Sequence, residues 1–280
     1  MRPSSRARRV AKLFLTMLVL GFAIVWIYPF ILTVFTSLKT PDDVLNDPFN
    51  FPPTISFSAY GVVWNDLNFG QLLKNSLLYG ILGSFFALAL AAVPSYAFSR
   101  FHITGGRILF TMLLTTLMLP QQTVIIPLYA ELDHFGLLNT QAGLIIMHTV
   151  YGIPFSMLLL TGFMANLPAE VESAARMDGC GDVGVLFRIM LPLSLPAMAV
   201  AFTLNFIGIW KEFIFALSFL NSDSVLPITT GILKFTVSQY FSTFNQPAAA
   251  VIASLLPVLV LFVVAHRWIM QGIYVGAIKG

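Results

Sequence analysis

Glu172-Ser173-Ala174-Ala175-Arg176-Met177-Asp178-Gly179, followed downstream by Ile189-Met190-Leu191-Pro192, is a charged, amphipathic island in a chain that otherwise reads as membrane helix. Pro168 suits a first helical turn, where its missing N–H costs nothing. Glu170 and Glu172 lie near the positive N-terminal end of that helix. Ala174, Ala175 and Met177 are good helix formers, and Gly179 is a natural left-handed terminator. Asp182 is suited to cap a second helix through Val183, Leu186, Phe187 and Ile189. Pro192 and Pro196 mark the entry to the next apolar run. Small Ala174 and Ala175 leave one face flat enough to enter a groove on another protein. By periodicity alone, the same residues also make an ordinary solvated loop helix.

The composition around this island excludes a soluble domain. Hydrophobic residues make up 58% of the 280 positions and charged ones 10%, with a mean hydropathy of +0.86. That is the profile of a polytopic membrane protein. The one cysteine, Cys180, excludes an internal disulfide and reads as a small turn residue. The pI near 9.1 invites a nucleic-acid reading, but the basic residues are spread thinly over loops. They fit membrane orientation better.

Six spans are expected, at about 13–35, 77–98, 108–129, 142–164, 193–220 and 248–269, each long enough for a ~30 Å hydrocarbon core. The first is expected to break near Pro29. It is too long for a signal peptide and lacks a small-residue cleavage site, so it reads as an uncleaved helix. The Pro-rich stretch 36–71 reads as an exposed loop with at most short helices, and Pro120 should kink the third span. Gly136 should end a short helix, with Asn139 or Thr140 capping the fourth span. An even number of spans puts both termini on one side. With the N-terminus inside, the cytoplasmic pieces hold Arg2, Arg6, Arg8, Arg9, Lys12, Arg100, Arg107, Arg176, Arg188, Arg267 and Lys279, and the external pieces hold Lys39, Lys74 and Lys234. This bias assigns both termini and the Glu172 loop to the cytoplasm of a multi-pass cell (plasma or inner) membrane protein.

Glu172-Ser173-Ala174-Ala175, Asp178-Gly179, nine residues and then Ile189-Met190-Leu191-Pro192 resemble the EAA signature of permease subunits of binding-protein-dependent ABC importers. That signature reads E-A-A-x-x-x-G, nine residues, I-x-L-P. Ser173 stands where the first alanine is usual. Ser95-Tyr96-Ala97-Phe98-Ser99-Arg100-Phe101 with Gly105-Gly106-Arg107 is similar to a stretch of carbohydrate-type permeases. So are Met118-Leu119-Pro120, Pro127-Leu128-Tyr129, Phe135 to Thr140 with Gly143-Leu144-Ile145, and the Arg267 to Gly280 tail. The chain resembles the second permease of maltose-type systems.

The resemblance implies an all-α, single-domain (1–280) MetI-like permease fold with six transmembrane helices and a cytoplasmic coupling helix in the 167–192 loop. It makes Glu172, Ala174, Ala175, Asp178, Gly179, Ile189, Leu191 and Pro192 the residues that couple to the ATP-hydrolysing subunit. It also implies an ATPase dimer carrying ATP and Mg, a second homologous permease, an extracytoplasmic solute-binding protein and a sugar substrate. No cofactor is expected in this chain, and surrounding lipid, not nucleic acid, is its other partner. Another polar solute, such as a glycerol phosphodiester, fits the same reading.

Inside the fifth span, Lys211-Glu212 is an adjacent charged pair. Charges at membrane depth usually face a cavity or a partner, so Lys211 and Glu212 are candidate pathway residues near an outer gate. A self-neutralising pair is the alternative. Lys211 departs from the Asn or Asp usual in the family. Asn205 and Trp210 could bind a sugar or simply pack. His148 and His266 have no second ligand at metal spacing and read as packed histidines. The sequence holds no G-x-x-x-x-G-K-[ST] loop and no Ser/His/Asp or H-E-x-x-H arrangement, so no enzymatic activity is expected in this chain. An ion-coupled secondary transporter, which usually carries several intramembrane carboxylates, is the competing class, and Glu212 alone argues against it.

Overall fold

The structure, a computed structural model, describes residues 5–238 and 244–277. They are helical in this order: α1 Ser5–Ser37, α2 Pro41–Asn46, α3 Ser58–Asn65 and α4 Phe69–Arg100. Then come α5 Gly106–Met118, α6 Gln121–His134, α7 Gln141–Ala165 and α8 Ala169–Met177. The chain ends with α9 Asp182–Leu193, α10 Leu195–Trp210, α11 Ile214–Phe219, α12 Ile228–Ser238 and α13 Asn245–Ala277. The all-α fold that the resemblance implied is the fold found among the described residues.

Four helices are long and apolar enough to cross a membrane by themselves: α1, α4, α7 and α13. Two bent pairs, α5 with α6 at 100° and α9 with α10 at 71°, bring the total to as many as six when each counts as one span. The third span is therefore broken, where Pro120 was expected only to kink it. Leu119, preceding the proline, is extended at ψ 128, as the proline ring requires of its neighbour. The helix expected over 193–220 also stops early, since α10 covers only Leu195–Trp210. α11 follows as a separate turn. Conversely, α1 runs unbroken through Pro29.

The chain forms two compact units. In the first, Met1–Phe69 with Lys234–Leu255, the expected loop carries α2 and α3. Thr40 caps α2 by accepting from the Asp43 N–H at 3.2 Å. Lys39 is fully buried, its amine donating to the Asp47 carbonyl. Asn245 Nδ2 donates to the Lys39 carbonyl at 2.9 Å.

In the second unit, Gly70–Leu233 with Leu256–Gly280, small residues let α4, α7 and α10 approach closely. Leu88, Ala91, Met157, Leu160, Ala197 and Ala201 form its apolar core. At Gly152 an added Cβ would lie 2.7 Å from the Ala87 Cβ. Small residues at such crossings replace the hydrophobic drive that lipid cannot supply. Asn205 Nδ2 then donates to Ser156 Oγ at 2.8 Å, tying α10 to α7.

Candidate functional site

The Glu172 island is a helix–turn–helix. α8 closes on Gly179 at φ +83. The Gly179 N–H reaches the Arg176 carbonyl and the Cys180 N–H reaches the Ala175 carbonyl, each at 3.0 Å. This is the paired-bond helix stop that a left-handed residue makes available. Asp182 does not cap the second helix through its side chain. Gly181 holds the capping position, and the Asp182 carboxylate pairs instead with Arg176 at 2.5 Å. The two charges clip the turn shut across Gly179. A π-type turn over Leu186–Met190 precedes Pro192, whose ring denies the chain a regular bond one turn back.

The motif residues divide into two sets. Ala174, Asp178, Gly179 and Pro192 are exposed, and Glu172 and Ala175 are buried, with Ile189 and Leu191 between. Ala175 joins Tyr96, Met164, Val185, Leu186 and Met190 in one apolar cluster, with Ile189 and Leu191 packed against it. The loop is thus seated on the ends of α4 and α7. The exposed set is continued by Met177, Val183 and Phe187, which stand out at 88%, 71% and 57% relative exposure. A large apolar tip on a polar loop marks a surface made to be covered.

Arg100 and Tyr96 stood in the sequence only within a stretch similar to carbohydrate-type permeases, with no role of their own. Arg100 Nε forms an ion pair with Glu172, and its Nη2 donates to the Leu167 carbonyl at 2.8 Å. Tyr96 OH donates to the other Glu172 oxygen at 3.4 Å. The signal that could have found them is the single arginine at the end of an apolar span, with a glutamate expected on the same membrane side.

The candidate pathway residues are not gathered into one lining. Asn205 is buried and spends its amide on Ser156. Trp210 is buried and stacks on Phe206 with ring centroids 5.5 Å apart. Glu212 does not serve Lys211. Its carboxylate accepts from the Phe215 N–H at 2.7 Å and the Ala216 N–H at 3.2 Å, capping α11. Lys211 alone is exposed, at the end of α10. His148 is buried on α7. Among the described residues no three His, Cys, Asp or Glu side chains gather for a metal. The side chains of the Arg267 to Gly280 tail lie outside the described residues.

A second polar site escaped the sequence reading. Asn75, fully buried, donates to the Ser224 and Leu226 carbonyls, each at 2.9 Å. Its Oδ1 accepts from Gln71 at 3.1 Å and Gln141 at 3.0 Å. Tyr79 OH donates to the Val225 carbonyl at 2.6 Å. Thr140 caps α7, accepting from the Gly143 N–H at 3.0 Å. Asn139 instead accepts from the Asn221 and Ser222 N–H groups. The first half of α4 therefore grips the 221–228 segment through Gln71, Asn75, Ser76 and Tyr79.

Apolar spans and one seated helix–turn–helix with an exposed apolar tip are the build of a polytopic membrane protein that presents a docking surface. The chain belongs to the family of binding-protein-dependent transport system inner membrane components, matched over residues 83–273. It is 31% identical over 277 residues to a diacetylchitobiose uptake system permease of Streptomyces coelicolor, covering 99% of this chain and 91% of that protein. It is 31% identical over 271 residues to a trehalose transport system permease of Mycobacterium tuberculosis, covering 94% and 95%. Among solved structures, a chain of a bacterial ABC transporter that imports the acidic polysaccharide alginate superposes with a TM-score of 0.80. That match is 25% identical and covers 95% of this chain and 99% of that one.

Proposed function

We propose that this chain is one of two permeases in an ATP-driven importer that takes up a saccharide delivered by an external binding protein. The carrying observation is the helix–turn–helix with its exposed Met177–Val183–Phe187 tip on a chain that has no phosphate-binding loop. Such a tip needs a partner, and a partner that hydrolyses ATP, with Mg, supplies the drive this chain lacks. Asp178, Gly179 and Ala174 stand at the docking face. Glu172, Ala175, Ile189 and Leu191 hold that face to the spans.

The relatives support a saccharide as cargo, since their names specify diacetylchitobiose, trehalose, and melibiose, raffinose or stachyose. The distribution of arginine and lysine supports cytoplasmic termini and a cytoplasmic tip. Lys211, exposed where α10 stops, marks the outer end of the pathway. Asn205 and Trp210 shape that pathway from behind by packing.

The work is done by ATP binding one state of the assembly more tightly than the other, which moves the docked loop as a rigid body. The test is to tag the chain, extract it gently from its native membrane and identify what co-purifies by mass spectrometry. An ATPase, a second permease and a solute-binding protein are expected, and the binding protein can then be screened against the three saccharide types. A stable chain without an ATPase would overturn the proposal in favour of an ion-coupled transporter.

A further inference from the structure

We propose that Arg100 and Tyr96 are positioning residues that carry movement of the Glu172–Gly179 loop into α4, and through α4 to the segment around Ser224. This rests on the reading of that loop as the ATPase contact. Glu172 is 7% exposed, so the first acid of the motif faces inward. Its two oxygens are divided between Arg100 and Tyr96. Arg100 also holds the Leu167 carbonyl at 2.8 Å. One side chain at the end of α4 thus grips both the entry to α8 and α8 itself.

The surroundings make this grip stiff. Tyr96 packs with Met164, Ala175, Val185, Leu186 and Met190, and edge-on against Phe101 with centroids 5.5 Å apart. Packed interiors do not deform continuously, so a push on the tip is delivered whole to Arg100. A buried ion pair contributes little net stability and is better suited to fixing an arrangement. From Arg100, α4 runs as one helix back to Asn75, about 38 Å at ~1.5 Å per residue. There Asn75 and Tyr79 hold the carbonyls of Ser224, Val225 and Leu226. α4 is a rod fixed by polar groups at both ends.

The experiment uses the whole complex with its ATPase, carrying Ser224→Cys in a Cys180→Ser background. The labelling rate by a membrane-impermeant maleimide is compared without nucleotide and with ATP, Mg and vanadate. The parent complex should show a rate ratio of about tenfold, the size of a typical coupling between sites. Arg100→Ala should still bind and turn over its ATPase while the ratio falls to near one. Arg100→Lys keeps the charge but loses the fork that reaches Leu167, and should fall between. Exchanging the charges, with Arg100→Glu and Glu172→Arg together, keeps the ion pair but gives up the bonds to Leu167 and from Tyr96, and should restore part of the ratio.

An unchanged ratio in Arg100→Ala overturns the inference. So does a parent ratio of one, or an exchanged pair that folds, binds the ATPase and restores nothing. A parent complex that contains no ATPase overturns the function proposed above, a separate failure.

Discussion

Replacing Gly179 separates the shape of the turn from the surface it presents. The residue sits at φ +83, and no heavy atom lies within 4 Å of an added Cβ. A side chain there meets no clash, only backbone strain of about 1–2 kcal/mol for an ordinary L-residue. That is about five- to thirtyfold in the population of the native turn. Asn and Asp both tolerate the left-handed region better than Ala, and they have the same shape, so the difference between them isolates charge. If a partner covers the tip, Gly179→Asn should retain most ATPase binding. Gly179→Ala should weaken it by about five- to thirtyfold. Gly179→Asp should weaken it well beyond Asn, because a carboxylate must be desolvated in the interface. The assay is titration of immobilised permease with the purified ATPase subunit, with thermal unfolding of each variant as a control on folding. Equal binding by Gly179→Asp and Gly179→Asn would refute the reasoning, since the tip would then be uncovered.

Other expectations follow from the same structure. Asn75→Ala strips donors from the Ser224 and Leu226 carbonyls, at about 1–3 kcal/mol, and should lower Tm and speed limited proteolysis within 221–228. An unchanged proteolysis rate would contradict the role of Asn75 as the clamp on that segment. Gly152→Ala forces a methyl to 2.7 Å from Ala87 and should cost about 1–3 kcal/mol, measured as Tm of the purified complex. Glu212 caps α11, so Glu212→Ala should cost about 0.5–2 kcal/mol in stability. Transport by the parent complex should persist when an uncoupler collapses the proton gradient at constant ATP. Transport abolished by the uncoupler would favour Glu212 as a proton carrier instead.

Much of this protein was legible in its sequence because the deciding forces are local or set by the solvent. A chain in lipid must pair its peptide groups internally, and long unbroken apolar runs fit helices where a barrel needs short alternating strands. The turn at Gly179 follows from one residue's freedom at positive φ, and the Thr140 cap from one hydroxyl. What the sequence left open were choices that depend on partners far along the chain. Asp182 was free to cap a helix or to pair with Arg176, and the closeness of the two across the turn decided it. Glu212 was free to face Lys211 or two N–H groups, and the stop of α10 at Trp210 brought the N–H groups to it. Pro120 could bend a helix or break one, and nothing in its neighbours fixed the 100° between α5 and α6. The motif around Glu172 announced a docking loop, but only tertiary packing divided it into an exposed tip and a buried root on Arg100. Burial is a property of the assembled helices, and no window of sequence contains both sides of it.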